Sequence, residues 1–220
     1  MEQQTAKRKE LALEWDAAQQ RVHEAAAAGR LGAALCTEEY CKEKTERLRV
    51  RDTAVQLQKT WMPRNQNIGG TIFGGDLIAW MESAALFCAT SFTRNNNMVT
   101  VNMDRIFFFE SIMVTDLLKL EAHTVYATAH TVQVEVVVTV EKGGLLHDNP
   151  MGADGLKTSH RGHFTVLNLD EVGRKRPVTM GFDLENASME ELIMFEQAKE
   201  RHRFFTARDR RVEVAGMLAE

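Results

Sequence analysis

Cysteine is scarce in this chain of 220 residues, and its scarcity argues against both a disulfide framework and a structural zinc site. The three cysteines, Cys36, Cys41 and Cys88, are odd in number and contain no CxxC pair. A disulfide framework uses an even set in an oxidising compartment, and a structural zinc site uses closely spaced ligands. We therefore expect neither, and we expect a reducing compartment: the cytoplasm by default, with the mitochondrion left open.

Charge of one sign and long apolar runs are also lacking. The formal net charge is -4, which gives no global attraction to a phosphate backbone, so we expect no nucleic-acid partner. No apolar run approaches the roughly 18 residues of a transmembrane helix. The amino-terminal segment MEQQTAKRKELALEWD has early acidic residues and no apolar core, which predicts no targeting peptide. Membrane insertion is therefore not expected.

The two ends of the chain have helical patterns. Residues 4–28 are rich in Ala, Glu, Lys, Leu and Gln and precede Gly29, which predicts a first helix. A second predicted helix begins at Thr37 and runs through CKEKTERLR, and a charged helix begins at Ser188. We expect residues 1–50 and 181–220 to be helical extensions of a central domain over residues 51–180.

The central segment alternates between apolar and polar residues, as strands do. Five strands are predicted, in DTAVQLQKTWM, MVTVNMDRIFF, LLKLEAHTVYA, TVQVEVVVTVE and HRGHFTVLNL. In the fourth, alternate valines from Val132 to Val140 share one face, which predicts a half-buried strand. Between the first two strands, TIFGGDLIAWMESAALFCATSF predicts a helix that is apolar nearly all round and must be buried. A five-stranded antiparallel sheet curled around this helix is an α+β hotdog fold.

The segment NIGGTIFGGDLIAWME, residues 67–82, has the residue types of a catalytic site. Gly74 and Gly75 open the helix, where unpaired N–H groups and the positive end of the helix dipole can bind an oxyanion. Glu82 lies two helical turns after Gly75 on the same side, and a carboxylate there suits a general base. Two alternatives stay open: Glu82 in a structural ion pair, and Asn67 as a residue that caps its own loop.

These residues, with VTVNMDRIFFFE and LDEVGRKRPV, resemble the acyl-CoA hydrolase family of hotdog thioesterases over roughly residues 51–180. The resemblance implies that Glu82 and Asn67 are the catalytic pair, that acyl-coenzyme A is the substrate, and that no metal or organic cofactor is used. A lone five-stranded sheet leaves an exposed edge, which predicts that two chains pair edge to edge as a homodimer. The resemblance also implies that the catalytic pair comes from different hotdog units, and that the chains form a homohexamer as a trimer of dimers. Ser111 and Thr115 depart from the family pattern, in the turn after the second strand.

The mechanism implied has Gly74 and Gly75 binding the thioester carbonyl oxygen, while Glu82 activates water or attacks directly through an anhydride. Sequence does not choose between the two routes. Arg174, Lys175 and Arg176 are candidates for the phosphates of coenzyme A, with a solvated turn as the alternative. The acyl chain length is not set by the pattern.

Other interpretations are weaker. A non-catalytic acyl-CoA-binding or assembly protein is the alternative function. A hotdog dehydratase is disfavoured because it uses a histidine, and none occurs between His23 and His123. Cys88 is interpreted as a core thiol. His160 and His163 are three apart in a predicted strand and face opposite sides, which argues against a shared metal.

Overall fold

The computed structural model describes residues 2–29, 31, 46–142 and 156–217. In chain order the elements are α1 (Glu2–Ala27), β1 (Glu46–Leu48), β2 (Val55–Lys59), α2 (Gly74–Thr93), β3 (Met98–Phe108), β4 (Leu117–Ala127), β5 (Thr131–Glu141), β6 (Lys157–Asn168), β7 (Met180–Phe182) and α3 (Met189–Met217). They divide into two compact units, Lys44–Phe182 and a second formed by Met1–Glu43 with Asp183–Glu220. None of the described helices has the length and apolar character that crossing a bilayer requires.

The larger unit is built on a five-stranded sheet in the order β2-β4-β5-β6-β3, with every pairing antiparallel. The predicted strands are confirmed, and the two strands on the edges are β2 and β3. The core face of β5 is made by five fully buried valines: Val132, Val134, Val136, Val138 and Val140. Period-two alternation predicted this face because successive side chains of a strand point to opposite sides.

The other face of β5 differs from its prediction as a half-buried strand. Gln133 and Glu135 lie on that face, yet each is only about 5–6% exposed. Glu135 forms an ion pair with Arg161 of the neighbouring strand β6, and its Oε1 lies 3.3 Å from Nε of Arg161. Alternation identifies the more apolar face of a strand, but it does not reveal that polar side chains of adjacent strands can cover one another.

Helix α2 packs on the valine face of the sheet. Its buried apolar residues recur at helical spacing: Leu77, Met81, Ala84, Ala85, Cys88, Ala89 and Phe92. Alanines in this stripe let the helix backbone approach the strands closely. The expectation that the helix is buried all round is wrong for the single chain, because Ala79, Ser83 and Phe87 form an exposed outer stripe.

A second, two-stranded sheet was not predicted. β1 pairs in parallel with β7, in the register Glu46 to Met180 and Leu48 to Phe182. The ring of Phe182 stacks on Phe92 at 5.1 Å, which ties this sheet to the end of α2. Residues 46–48 were predicted as helix, and forming the strand depends on a partner more than 130 positions away, which local propensity does not register. Residues 37–45 of that predicted helix lie outside the described part.

The smaller unit pairs α1 with α3, the two ends of the chain. Trp15, Ala18 and Val22 are buried at helical spacing on α1. The ring of Trp15 packs edge-on against Phe204 at 5.9 Å, and the side chains of His23 and Gln197 are 3.0 Å apart. The start predicted at Ser188 is confirmed by reciprocal hydrogen bonds between Ser188 and Glu191, a capping box. The boundaries proposed for the three segments stay predictions.

The contact between α2 and β6 provides a test of the core. A Cβ at Gly162 would lie 3.1 Å from Cε of Met81 and 3.3 Å from atoms of Ile106 and Phe164. We therefore expect Gly162→Val to overpack this contact and to lower the free energy of unfolding by about 1–3 kcal/mol in urea titrations. The control is Thr158→Val at an exposed position of the same strand. Equal stability of the two variants would contradict the close packing described here.

Candidate active site

The loop before α2 is held by a tight turn. The N–H of Gly70 donates to the carbonyl of Asn67 at 3.0 Å, and Gly70 has φ of 79°, a left-handed conformation that suits glycine. The N–H of Asn67 donates to the carbonyl of Thr71 at 2.8 Å, which closes the turn. The turn presents Ile68 and Asn67 to solvent at its tip.

Both ends of the Asn67 side-chain amide bind within this turn. Nδ2 donates to Oγ1 of Thr71 at 2.8 Å, and Oδ1 accepts the N–H of Thr71 at 3.2 Å. In the single chain Asn67 therefore acts as a loop-capping residue, the alternative left open by the sequence. Asn67 is exposed, so a second molecule can reach its side chain. The amide can still form further hydrogen bonds, because its oxygen has two lone pairs and its nitrogen two hydrogens.

Asn65 fixes the same loop to the first turn of α2. Its Nδ2 donates to Oδ2 of Asp76 at 3.0 Å, and its carbonyl accepts the N–H of Phe73 at 3.0 Å. The N–H of Ile72 donates to the carbonyl of Ile112 at 2.8 Å, so a second loop supports the first. Sequence reasoning missed Asn65. The sequence feature that could have identified it is an asparagine in the loop before α2 together with Asp76 in the first turn of that helix.

The helix opens with free backbone donors. The N–H groups of Asp76 and Leu77 donate to the carbonyl of Phe73, whereas no described residue accepts those of Gly74 or Gly75. The Phe73 ring lies over Gly75, so that a Cβ added there would be 2.5 Å from Cε1 of the ring. The predicted donor cluster is thus placed at the start of α2, where the helix dipole favours negative charge.

Glu82 lies on the boundary between the buried and exposed stripes of α2. It is half-buried, between the fully buried Met81 and the exposed Ser83. No hydrogen bond or ion pair joins its carboxylate to any residue that the structure describes. The alternative of a structural ion pair therefore gains no support, and Glu82 does not contact Asn67 by a hydrogen bond within one chain. Seven helical residues separate Glu82 from Gly75, a rise of about 10 Å.

A cavity of about 310 Å³ lies beneath the start of α2. Its walls are formed by Thr71, Ile72, Gly74, Leu77, Phe108, Phe109, Glu110, Ser111, Ile112 and His160. His160 is 4% exposed and meets the ring of Phe108 edge-on at 4.7 Å. Burial, with a smaller contribution from the charge of Lys142, lowers the pKa of His160 to about 4. The imidazole is therefore neutral at physiological pH.

His160 was considered from the sequence only as a metal ligand. The prediction that it and His163 face opposite sides of their strand is consistent with the register, since His160 pairs with Val138 of the core face and His163 with Glu135 of the other. The strand pattern around His160 could not predict that this side chain lines a cavity, because the other walls of the cavity come from loops and a helix elsewhere in the sequence.

The remaining candidates lie away from this cavity. Arg174 is exposed and ion-pairs with Asp170 of its own turn at 3.3 Å, and Lys175 and Arg176 are exposed beside it. Their assignment to coenzyme A phosphates stays a prediction. Burial raises the pKa of the Cys88 thiol to about 11, which keeps it protonated and supports its interpretation as a core residue rather than a nucleophile.

Comparisons with known proteins agree with this architecture. Residues 69–147 match the model of the thioesterase superfamily. An uncharacterised acyl-CoA thioester hydrolase of Buchnera aphidicola subsp. Acyrthosiphon pisum (strain APS) is 26% identical over 98 residues, 44% of this chain and 70% of the relative. A second, from Buchnera aphidicola subsp. Baizongia pistaciae (strain Bp), is 25% identical over 120 residues, 54% of this chain and 84% of the relative.

Solved structures have the same fold. A hexameric acyl-CoA thioesterase in its apo form has a TM-score of 0.63 at 23% identity, covering 74% of this chain and 97% of its own. An acyl-CoA hydrolase of Staphylococcus aureus, solved with butyryl coenzyme A, coenzyme A and coenzyme A disulfide, has a TM-score of 0.61 at 19% identity, covering 78% and 98%. The predicted α+β hotdog fold is confirmed.

The lowered pKa of His160 predicts a pH dependence of stability. Above pH 6.5, its ordinary pKa, the imidazole is neutral in the folded and unfolded chain and has no effect. As the pH falls from about 6.5 towards 4, the unfolded chain binds a proton that the folded chain does not, so stability is lost. We expect His160→Gln to lose less free energy of unfolding than the wild type between pH 7 and pH 5 in urea titrations. Parallel losses would show that His160 does not titrate in this way.

Proposed function

We propose that this chain is a thioester hydrolase that acts on acyl-coenzyme A, with Glu82 as its catalytic group. The products are a free carboxylic acid and coenzyme A. The observation that carries the proposal is the half-buried carboxylate of Glu82, without a partner among the described residues, on the helix whose first N–H groups are free.

An unpaired, partly buried carboxylate is costly to retain for structure alone. Removing a charge from water stabilises a protein only when a partner or hydrogen bonds replace the lost solvation. Among the described residues Glu82 has neither, and it lies beside the buried Met81, Ala84 and Ala85 of its helix. A carboxylate without a protein partner is available to accept a proton from a water molecule or to attack a substrate.

The reaction balances with water as the only co-reactant. Glu82 takes a proton from water as the water oxygen bonds to the carbonyl carbon, and backbone N–H groups stabilise the resulting oxyanion. Collapse breaks the carbon–sulfur bond, and the proton passes from Glu82 to the thiolate of coenzyme A. Direct attack by Glu82 through an anhydride remains the alternative route. Neither route requires a metal or an organic cofactor.

The spacing along α2 supports a site shared between two chains. Gly75 and Glu82 of one helix are separated by about 10 Å, which is more than one water molecule spans. Asn67 is exposed at the tip of its turn, and the outer stripe of α2 is open to solvent. A second copy placed across this surface would bring its own Asn67 turn to Glu82, where the amide can orient the water or the carbonyl.

Edge strand β3 offers the surface for this pairing. Val99, Val101 and Met103 are each more than two-fifths exposed on a strand with one unpaired edge. A long apolar edge strand is a template for pairing with another copy. We propose a homodimer joined along β3 as the minimum unit, and a homohexamer as three such dimers. Arg174 and Arg176 are retained as candidates for contact with the coenzyme A phosphates.

Replacing the carboxylate tests the catalytic role directly. Glu82→Gln keeps the shape of the side chain but removes the base, so we expect kcat for acyl-coenzyme A hydrolysis to fall by about 10² or more. Release of free thiol measures the rate. Asp52→Asn, which makes the same carboxylate-to-amide change at an exposed position outside α2, is the matched control and should retain wild-type turnover. Near-normal turnover by Glu82→Gln would refute the assignment.

Mixed dimers test the sharing of the site. Asn67→Ala and Glu82→Ala proteins should each be nearly inactive. Unfolded together and refolded, half of the dimers are mixed, and each mixed dimer has one site with both defects and one with neither, so about a quarter of wild-type activity should return. Mixed dimers isolated through two affinity tags but without hydrolysis would show that both residues act within one chain.

A further inference from the structure

The cavity beneath α2 has a polar group that the mechanism does not use. His160 is 96% buried, and its Nδ1 has no hydrogen-bond partner among the described residues. No hydrogen bond from the described part of the protein reaches Nε2 either. A neutral imidazole has one N–H donor and one acceptor nitrogen, and burying either without a partner is costly. His160 is also one of the residues that line the cavity, so this hydrogen-bonding capacity is available to a group bound there.

The rest of the cavity is suited to the acyl part of a substrate. Ile72, Leu77, Phe108 and Ile112 contribute apolar side chains to its wall. Gly74, whose N–H no described residue accepts, also lines it. A thioester whose carbonyl oxygen binds at the start of α2 would direct its acyl group into this space. The volume of about 310 Å³ is at the lower end of the range of roughly 300–1,000 Å³ for ligand pockets, which limits the size of the acyl group.

Charges at the rim are already compensated within the protein. Nζ of Lys142 donates to the carbonyl of Ser111 and lies 3.2 Å from Oδ2 of Asp116 and 3.8 Å from Oε2 of Glu110. The charged residue among those that line the cavity is Glu110, whose carboxylate disfavours a second carboxylate on the acyl group. The polar group complementary to His160 is thus neutral, and a hydroxyl supplies both the donor and the acceptor that an imidazole can match.

From this arrangement we propose that the cavity selects short acyl groups bearing a hydroxyl, which hydrogen-bonds to His160. The inference rests on the proposed hydrolysis of acyl-coenzyme A and adds the class of acyl group to it. His160 acts here on specificity and is not a catalytic residue. A site built to hydrogen-bond a substrate hydroxyl discriminates against the analogue that lacks it, because its own polar group is then left unpaired.

The test compares matched substrates. We expect kcat/KM for β- or γ-hydroxybutyryl-coenzyme A to exceed that for butyryl-coenzyme A by roughly three- to tenfold, the worth of one net hydrogen bond. His160→Phe, which replaces one planar ring by an apolar one, should abolish or reverse this ratio, whereas His160→Gln should preserve part of it. His163→Phe, on the opposite face of the same strand, is the matched control and should leave the ratio unchanged. Circular dichroism establishes that each variant is folded.

Two results would overturn the inference: a wild-type ratio of one, or a preference that persists in His160→Phe. Failure of the proposed function is distinguished by the binding of non-hydrolysable thioether analogues of the hydroxybutyryl and butyryl thioesters. If no thioester is hydrolysed but the hydroxylated analogue binds more tightly, and does so only with His160 present, the cavity is assigned correctly and the hydrolysis is not. Equal binding of the two analogues rejects the cavity assignment whatever the catalytic outcome.

Discussion

The structure of the larger unit depends on the packing of α2 against the valine face of its sheet. An apolar helix of twenty residues leaves no stable alternative to burial, and the five inward valines of β5 supply the surface for it. Each fully buried valine contributes on the order of 1.5 kcal/mol or more from removal of its side chain from water. Alanines on the helix and Gly162 on β6 allow the close approach that excludes voids.

The positions of the candidate site residues follow from this contact. Once the stripe from Leu77 to Phe92 faces the sheet, Glu82 is fixed at the edge of the buried surface rather than within it. The start of the helix then lies above His160, and the space between them becomes the cavity. Asn65 and its bond to Asp76 hold the preceding turn against the same helix end, so the free N–H groups and the Asn67 turn are positioned as one piece.

The same packing leaves the outer side of α2 uncovered. Its outer stripe, the apolar residues of edge strand β3 and the tip of the Asn67 turn are all open in the single chain. One hotdog sheet covers only one side of its helix, because the sheet curls around the helix without closing. An incomplete cover of this kind leaves room for a second copy, which is the arrangement proposed for the site.

The sequence by itself determined the elements of the larger unit and the identity of the candidate residues. Periodicity located all five strands of the main sheet and α2, since side-chain burial repeats at two and at 3.6 residues whatever the partner. The glycine-rich approach to α2 identified Gly74, Gly75, Asn67 and Glu82 as candidates. Tertiary structure alone decided the features that depend on distant partners: the pairing of β1 with β7, the contact of α1 with α3, and the burial of Glu135. It also decided the state of His160, because an isolated strand pattern carries no information about the loop and helix that enclose its side chain.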